Sequence, residues 1–128
     1  MSTSTELPVV VRHAEQPQKQ LGGLAFAGGA PHSGQAQLTR LARGTQSMIV
    51  HLACQKGFHS PSHQHPENET LGYVVSGLIR INDDDQEYLL GPGDSWFHAK
   101  GIRHSLEALE DSHVIEVHTP HRQDILSL

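Results

Sequence analysis

Two histidines one residue apart, in His63-Gln64-His65, are the sharpest chemical feature of the sequence. On an extended segment, residues i and i+2 project to the same side, so this spacing brings two imidazoles together. Convergent imidazoles suit a divalent transition ion, and a carboxylate nearby would add a charge-compensating ligand. Glu67 and Glu69 follow in a short polar stretch, and His104 stands farther on, just after Lys100-Gly101. A second feature is Glu116, which interrupts the apolar run 114–117. Alternation places Val114, Glu116 and His118 on one face and Ile115 with Val117 on the other. If the first face is interior, a partly desolvated carboxylate with a raised pKa is expected there, suited to general acid or base work. The alternative is that this face is the solvent side of an edge strand. Arg122 could clamp a substrate carboxylate through its planar fork or lie on the surface.

The elements that must position these groups read as strands. Short apolar runs at 38–42, 48–54, 71–76, 78–81, 87–90, 95–97, 106–109 and 114–117 are separated by turn residues such as Gly77, Asn82 to Asp85, and Gly91-Pro92-Gly93-Asp94. No segment keeps helical periodicity beyond about two turns, and strands at roughly 8–12-residue spacing indicate an all-β sandwich or barrel. Residues 7–11 are read as a terminal strand, and the glycine-rich stretch 21–34 as a loop. That loop has neither GxGxxG nor a GK followed by Ser or Thr, so it is no phosphate cradle. The expected organisation is one domain, with 1–36 as an N-terminal strand and loop packing on a barrel formed by 37–128.

Composition narrows the function classes. The chain has 128 residues, suited to one domain, and 14 acidic residues against nine basic give a net charge of −5 with neutral histidines. That excludes the clustered basic face of a nucleic-acid binder. A single cysteine, Cys54, can form no internal disulfide and is read as inert core. There is no basic segment followed by a long apolar run at the start, and no run long enough to span a bilayer, so a cytoplasmic protein without membrane contact is expected. Of the eleven histidines, His13, His32, His113 and His121 are read as surface residues. His51 faces either cavity or solvent, and His59 and His98 are candidates to shape a site. Tyr73, Trp96 and Phe97 are read as barrel walls.

These motifs resemble those of the cupin superfamily. The first cupin motif is matched by GFHSPSHQHPENETLGYVVSG through Gly57, His63, His65, Glu69 and Gly77. The second is matched by GDSWFHAKGIRHSLEA through Gly93, Gly101 and His104, with Ala99 and Ala108 where the family has Pro and Asn. The resemblance implies a double-stranded β-helix, or jelly-roll barrel, with His63, His65 and His104 as metal ligands. Glu69 is taken as the fourth ligand, although seven residues rather than six separate it from Gly77; counting back from Gly77, the slot falls on Thr70. The stretch from Gly72 to Asp124 is similar to small single-domain cupins of the pectin-degradation type. In the tail, Glu116 fills the acidic slot, His118 the usual aromatic, and Pro120 and Arg122 their own. That likeness implies a metal-dependent enzyme using Zn, Mn, Fe, Ni or Cu, with Glu116, His118 and Arg122 as catalytic residues. The implied reaction is isomerisation or ring opening of an unsaturated uronate or similar small carbonyl compound, with polyketide cyclisation a neighbouring possibility. Alternatives are a dioxygenase using Fe, Ni or Cu and a non-catalytic ligand-binding cupin. A homodimer is also expected, with 7–11 as a candidate pairing strand.

Overall fold

A computed structural model describes residues 6–26 and 29–128. Its strands are β1 (Gln18–Gln20), β2 (Ala36–Arg43), β3 (Met48–Cys54), β4 (His59–His63), β5 (Glu69–Ser76), β6 (Ile79–Asp83), β7 (Gln86–Leu90), β8 (Ser95–His98), β9 (His104–Ala108) and β10 (Ser112–Thr119). A 3₁₀ turn at His13–Glu15 precedes them, and a short helix, α1 (Gln123–Leu126), follows. The strands form a six-stranded sheet, β1-β2-β3-β10-β5-β8, and a four-stranded sheet, β4-β9-β6-β7, with every pair antiparallel. This is the jelly-roll arrangement of an all-β barrel. No helix among the described residues is long and apolar enough to cross a membrane.

Period-2 alternation builds the core. In β3, Met48, Val50, Leu52 and Cys54 are buried while Ile49, His51 and Ala53 face outward. Val74, Val114, Ile79, Ile81, Leu106 and Ala108 complete the inner faces, with Phe58 almost fully enclosed between them. Apolar burial of this kind supplies most of the favourable free energy, at about 25 cal/mol per Å² removed from water. Trp96 reaches inward over Gly72 of the neighbouring strand, and a Cβ at residue 72 would stand 2.1 Å from its indole ring. Gly72→Ala is therefore expected to cost about 1–3 kcal/mol through overpacking, read as a lowered Tm. An unchanged Tm would show that the indole is not locked there.

The eight strands read from the apolar runs are all present, with β3 at the expected limits. Residues 7–11 form no strand, and Val9 and Val10 are 95% and 62% exposed. β-Branched residues favour strands only where a partner strand gives them a surface to pack on, and within this chain Val9 and Val10 have none. The N-terminal strand is instead β1, a polar and exposed edge strand paired with β2. β4 escapes an apolar-run reading because its sequence, HSPSH, has no apolar alternation; it is held by pairing with β9. Trp96 is an inner wall residue, whereas Tyr73 and Phe97 lie about half exposed on the outer face of the larger sheet, in line with Leu71 and Val75.

Candidate metal centre

The end of β4 and the start of β9 are register partners at His63 and His104, and His65 follows two residues after the end of β4. One ligand atom from each of these three imidazoles lies within 4.8 Å of the other two. Backbone carbonyls fix the tautomers of two rings. His63 donates Nδ1–H to Pro61 O at 2.6 Å, and His104 donates Nδ1–H to Ile102 O at 3.0 Å. Each therefore keeps a bare lone pair on Nε2, which is the second-shell arrangement that metal-bound histidines use. His65 Nε2 is buried and has no hydrogen-bond partner among the described residues. A buried acceptor or donor left alone is costly, and an ion at this point would satisfy it. The donor set therefore fits a divalent transition ion.

Electrostatics agree with ligation. Burial first, then the charge of neighbouring groups, pushes His65 and His104 down to about 3, and burial likewise lowers His63. Neutral imidazoles are the form that binds metal. The linkage has a definite sign. The unfolded chain takes up protons near the ordinary value of 6.5 while the folded rings refuse them until about 3, so stability falls as the pH drops through that window. Thermal melts of the metal-free protein should thus show Tm falling between about pH 6.5 and 3, and His104→Gln should flatten that fall. A melt unaffected by this substitution would contradict the assignment.

Beside His63 and His104 lies a cavity of about 50 Å³, lined also by Glu116, His118, Arg122, Thr70, His98 and His32 among others. That space holds an ion with a few waters; a larger oxygen ligand must displace those waters to reach it. On β10, Val114, Glu116 and His118 point inward, so the expected face is the interior one. Thr70 Oγ1 is 2.9 Å from His118 Nδ1, and His118 Nε2 stands 3.4 Å from Glu116 Oε1, a charge contact rather than a well-formed hydrogen bond. A sequence model of the cupin domain matches residues 50–119.

The chain belongs to the cupin family.

Solved cupin structures superpose closely on it. An RmlC-like cupin from Shewanella frigidimarina is 22% identical with a TM-score of 0.78, covering 92% of this chain and 96% of that one. KdgF from Halomonas sp. is 25% identical with a TM-score of 0.76, covering 92% and 98%. A predicted oxalate decarboxylase from Thermotoga maritima is 18% identical with a TM-score of 0.74, covering 88% and 99%. No curated protein matches the chain.

Several cavity residues differ from their sequence expectations. Glu69 is not among the clustered ligands; the lining residue is Thr70, buried and bonded to His118. Strand parity explains this, because β5 buries Thr70, Gly72 and Val74 and turns the alternate positions outward. The β5–β10 pairing runs in register from Glu69 through Thr70 without a shift there, which keeps Glu69 on the side opposite Thr70. Glu116 has a lowered rather than raised pKa. Burial pushes its carboxyl up, but His118, Arg122 and His104 outweigh this and hold it at about 2. It is a carboxylate at neutral pH and can accept a proton but not donate one. Arg122 is buried, with Nε and Nη2 gripped by Asp124 at 3.1 and 2.7 Å and its guanidinium 4.8 Å from the Phe26 ring centre. Among the described residues, Nη1 has no hydrogen-bond partner, and the residue lines the cavity.

His32, read as a surface residue, is buried: Nδ1–H donates to Leu24 O at 2.6 Å, and the ring stacks on Phe58 and lines the cavity. Its position in a glycine-rich loop carries no periodicity, so nothing in the sequence pointed inward. His98 is buried, 2.7 Å from Asp83 Oδ2 through Nδ1, and its ring lies parallel to that of His104 with centres 4.2 Å apart. Asp83 was missed altogether; its turn-like surroundings concealed that it ends β6, opposite His104. His13 and His113 are exposed, and His51 faces outward with them. Cys54 is buried with its thiol raised to about 12, mainly by desolvation, and is inert.

Proposed function

We propose that this cupin is a metal-dependent enzyme acting by proton transfer on a small, oxygen-rich carbonyl compound, with an unsaturated uronate as the specific substrate. The observation that carries this reading is a cluster of three imidazoles, two of which line one cavity together with an ionised carboxylate and a buried guanidinium. His63, His65 and His104 would hold the ion, which when bound would polarise a carbonyl or enolate oxygen as a Lewis acid. Three protein ligands leave coordination positions for water or substrate, as catalytic rather than structural sites do. Thr70 orients His118, His118 and Arg122 keep Glu116 ionised, and Glu116 takes the substrate proton on its carboxylate. Arg122, pinned by Asp124, presents its free edge to a substrate carboxylate. The likeness to KdgF from Halomonas sp., at 25% identity across nearly all of that chain, agrees with this substrate class.

The test begins with elemental analysis of protein purified without added metal, followed by turnover assays with unsaturated uronates at matched metal loading. Metal-dependent consumption of the uronate supports the proposal. A loaded protein that binds uronate but leaves it unchanged makes it a ligand-binding cupin, and oxygen uptake with the loaded protein makes it an oxygenase.

A further inference from the structure

Outside the cavity, on the outer face of the larger sheet, His51 is engaged through both ring nitrogens. Its Nδ1 is 2.9 Å from His13 Nε2, and its Nε2 is 2.9 Å from His113 Nδ1. The three residues come from the 3₁₀ turn, β3 and β10. His51 is the register partner of Ile115, which makes His113 its diagonal neighbour on the same face of two hydrogen-bonded strands. The His51 and His113 ring planes are within 6° of parallel. Both partners thus sit on rigid backbone, two nitrogens facing each other at the protein surface.

We propose that His51 Nε2 and His113 Nδ1 form a second, outward-facing site for a divalent transition ion such as Cu²⁺, Ni²⁺ or Zn²⁺, with His13 as the partner that orients His51. An ion here would take the place of the proton shared in the 2.9 Å gap. Two imidazole nitrogens bound at about 2.0–2.1 Å stand roughly 2.9 Å apart at a right angle and roughly 3.4 Å apart at the tetrahedral angle. Ring rotations that aim both lone pairs roughly 35–45° off the N···N line convert the hydrogen bond into a chelate, and the open face lets water complete the shell. In the tautomer in which His51 donates Nδ1–H to His13, its Nε2 is left bare, the role that second-shell acceptors play at metal histidines. Burial, with His113 and His13 beside it, lowers the His51 pKa and keeps the ring neutral at neutral pH. An all-imidazole donor pair selects against Mg²⁺ and Ca²⁺, which demand oxygen ligands. Nothing in this proposal depends on the cavity reaction.

Calorimetric titration of the metal-free protein with Ni²⁺ tests it. The wild type should take up one equivalent more than the His51→Gln/His113→Gln variant, and His13→Gln should weaken that extra equivalent about tenfold. Both substituted side chains lie on the outer face, so the variant should fold, which circular dichroism checks. In a His63→Gln/His104→Gln background, Cu²⁺ should still bind and give an electron paramagnetic resonance signal with nitrogen coupling. Equal uptake by the wild type and the outer-face variant would overturn the proposal, as would a folded inner-site variant that binds no ion.

Discussion

Replacing His104 with alanine is expected to strip the cavity of its metal affinity and abolish turnover. His104 is the hinge of the constellation: register partner of His63, ring neighbour of His65 at 5.3 Å, and stacked on His98 at 4.2 Å. Losing one of three imidazoles leaves a two-nitrogen site, and even outer-shell partners of a metal histidine typically cost 10–100-fold in affinity when removed. A loss of more than about 100-fold is therefore expected for His104→Ala. Competition against a chromophoric chelator measures it, best in the His51→Gln/His113→Gln background so that outer-face binding does not contribute. The same substitution removes a ring whose protonation is resisted down to about 3, so the metal-free variant should be less acid-sensitive than its parent. Retention of tight metal binding would place the ion elsewhere.

The ligand histidines and the face of β10 could be read in the chain because strand geometry turns spacing into direction. HxH at the end of a strand and the alternation Val114, Glu116, His118 both follow from a period of two. The groups that were missed owe their positions to contacts distant in sequence. Asp83 meets His98 because the β6–β9 pairing sets it opposite His104, on whose ring His98 stacks, and His32 is buried because a loop folds back onto Phe58. Glu69 was drawn inward by motif spacing, whereas the pairing of β5 with β10, in register through Glu69 and Thr70, settles which residue faces the cavity. Glu116 shows a different gap: its burial was foreseeable, but the sign of its pKa shift depends on neighbours at 118, 122 and 104 that only the fold assembles. Residues 7–11 have strand propensity without a partner, and propensity alone does not make a strand.

Glu116→Gln is expected to leave the ion bound and remove the reaction. The amide keeps the size of the carboxylate and can still face His118, so the cavity should retain its shape and the ligand cluster its three imidazoles. What disappears is the only carboxylate that lines the cavity among the described residues, and with it the site that receives the proton. General base catalysis of this kind contributes about 10²–10⁴-fold, so kcat should fall by that factor while KM changes little. Asp124 still holds Arg122, so the guanidinium proposed to meet the substrate carboxylate is undisturbed and binding should persist. Because His118, Arg122 and His104 hold Glu116 at about 2, the carboxylate is ionised at every pH where the protein is folded and assayed near neutrality. An acid limb in the wild-type profile near pH 6 would therefore belong to another group, and Glu116→Gln should lower the plateau without moving that limb. Turnover surviving the substitution at full rate would remove Glu116 from the chemistry and assign the proton to a different acceptor.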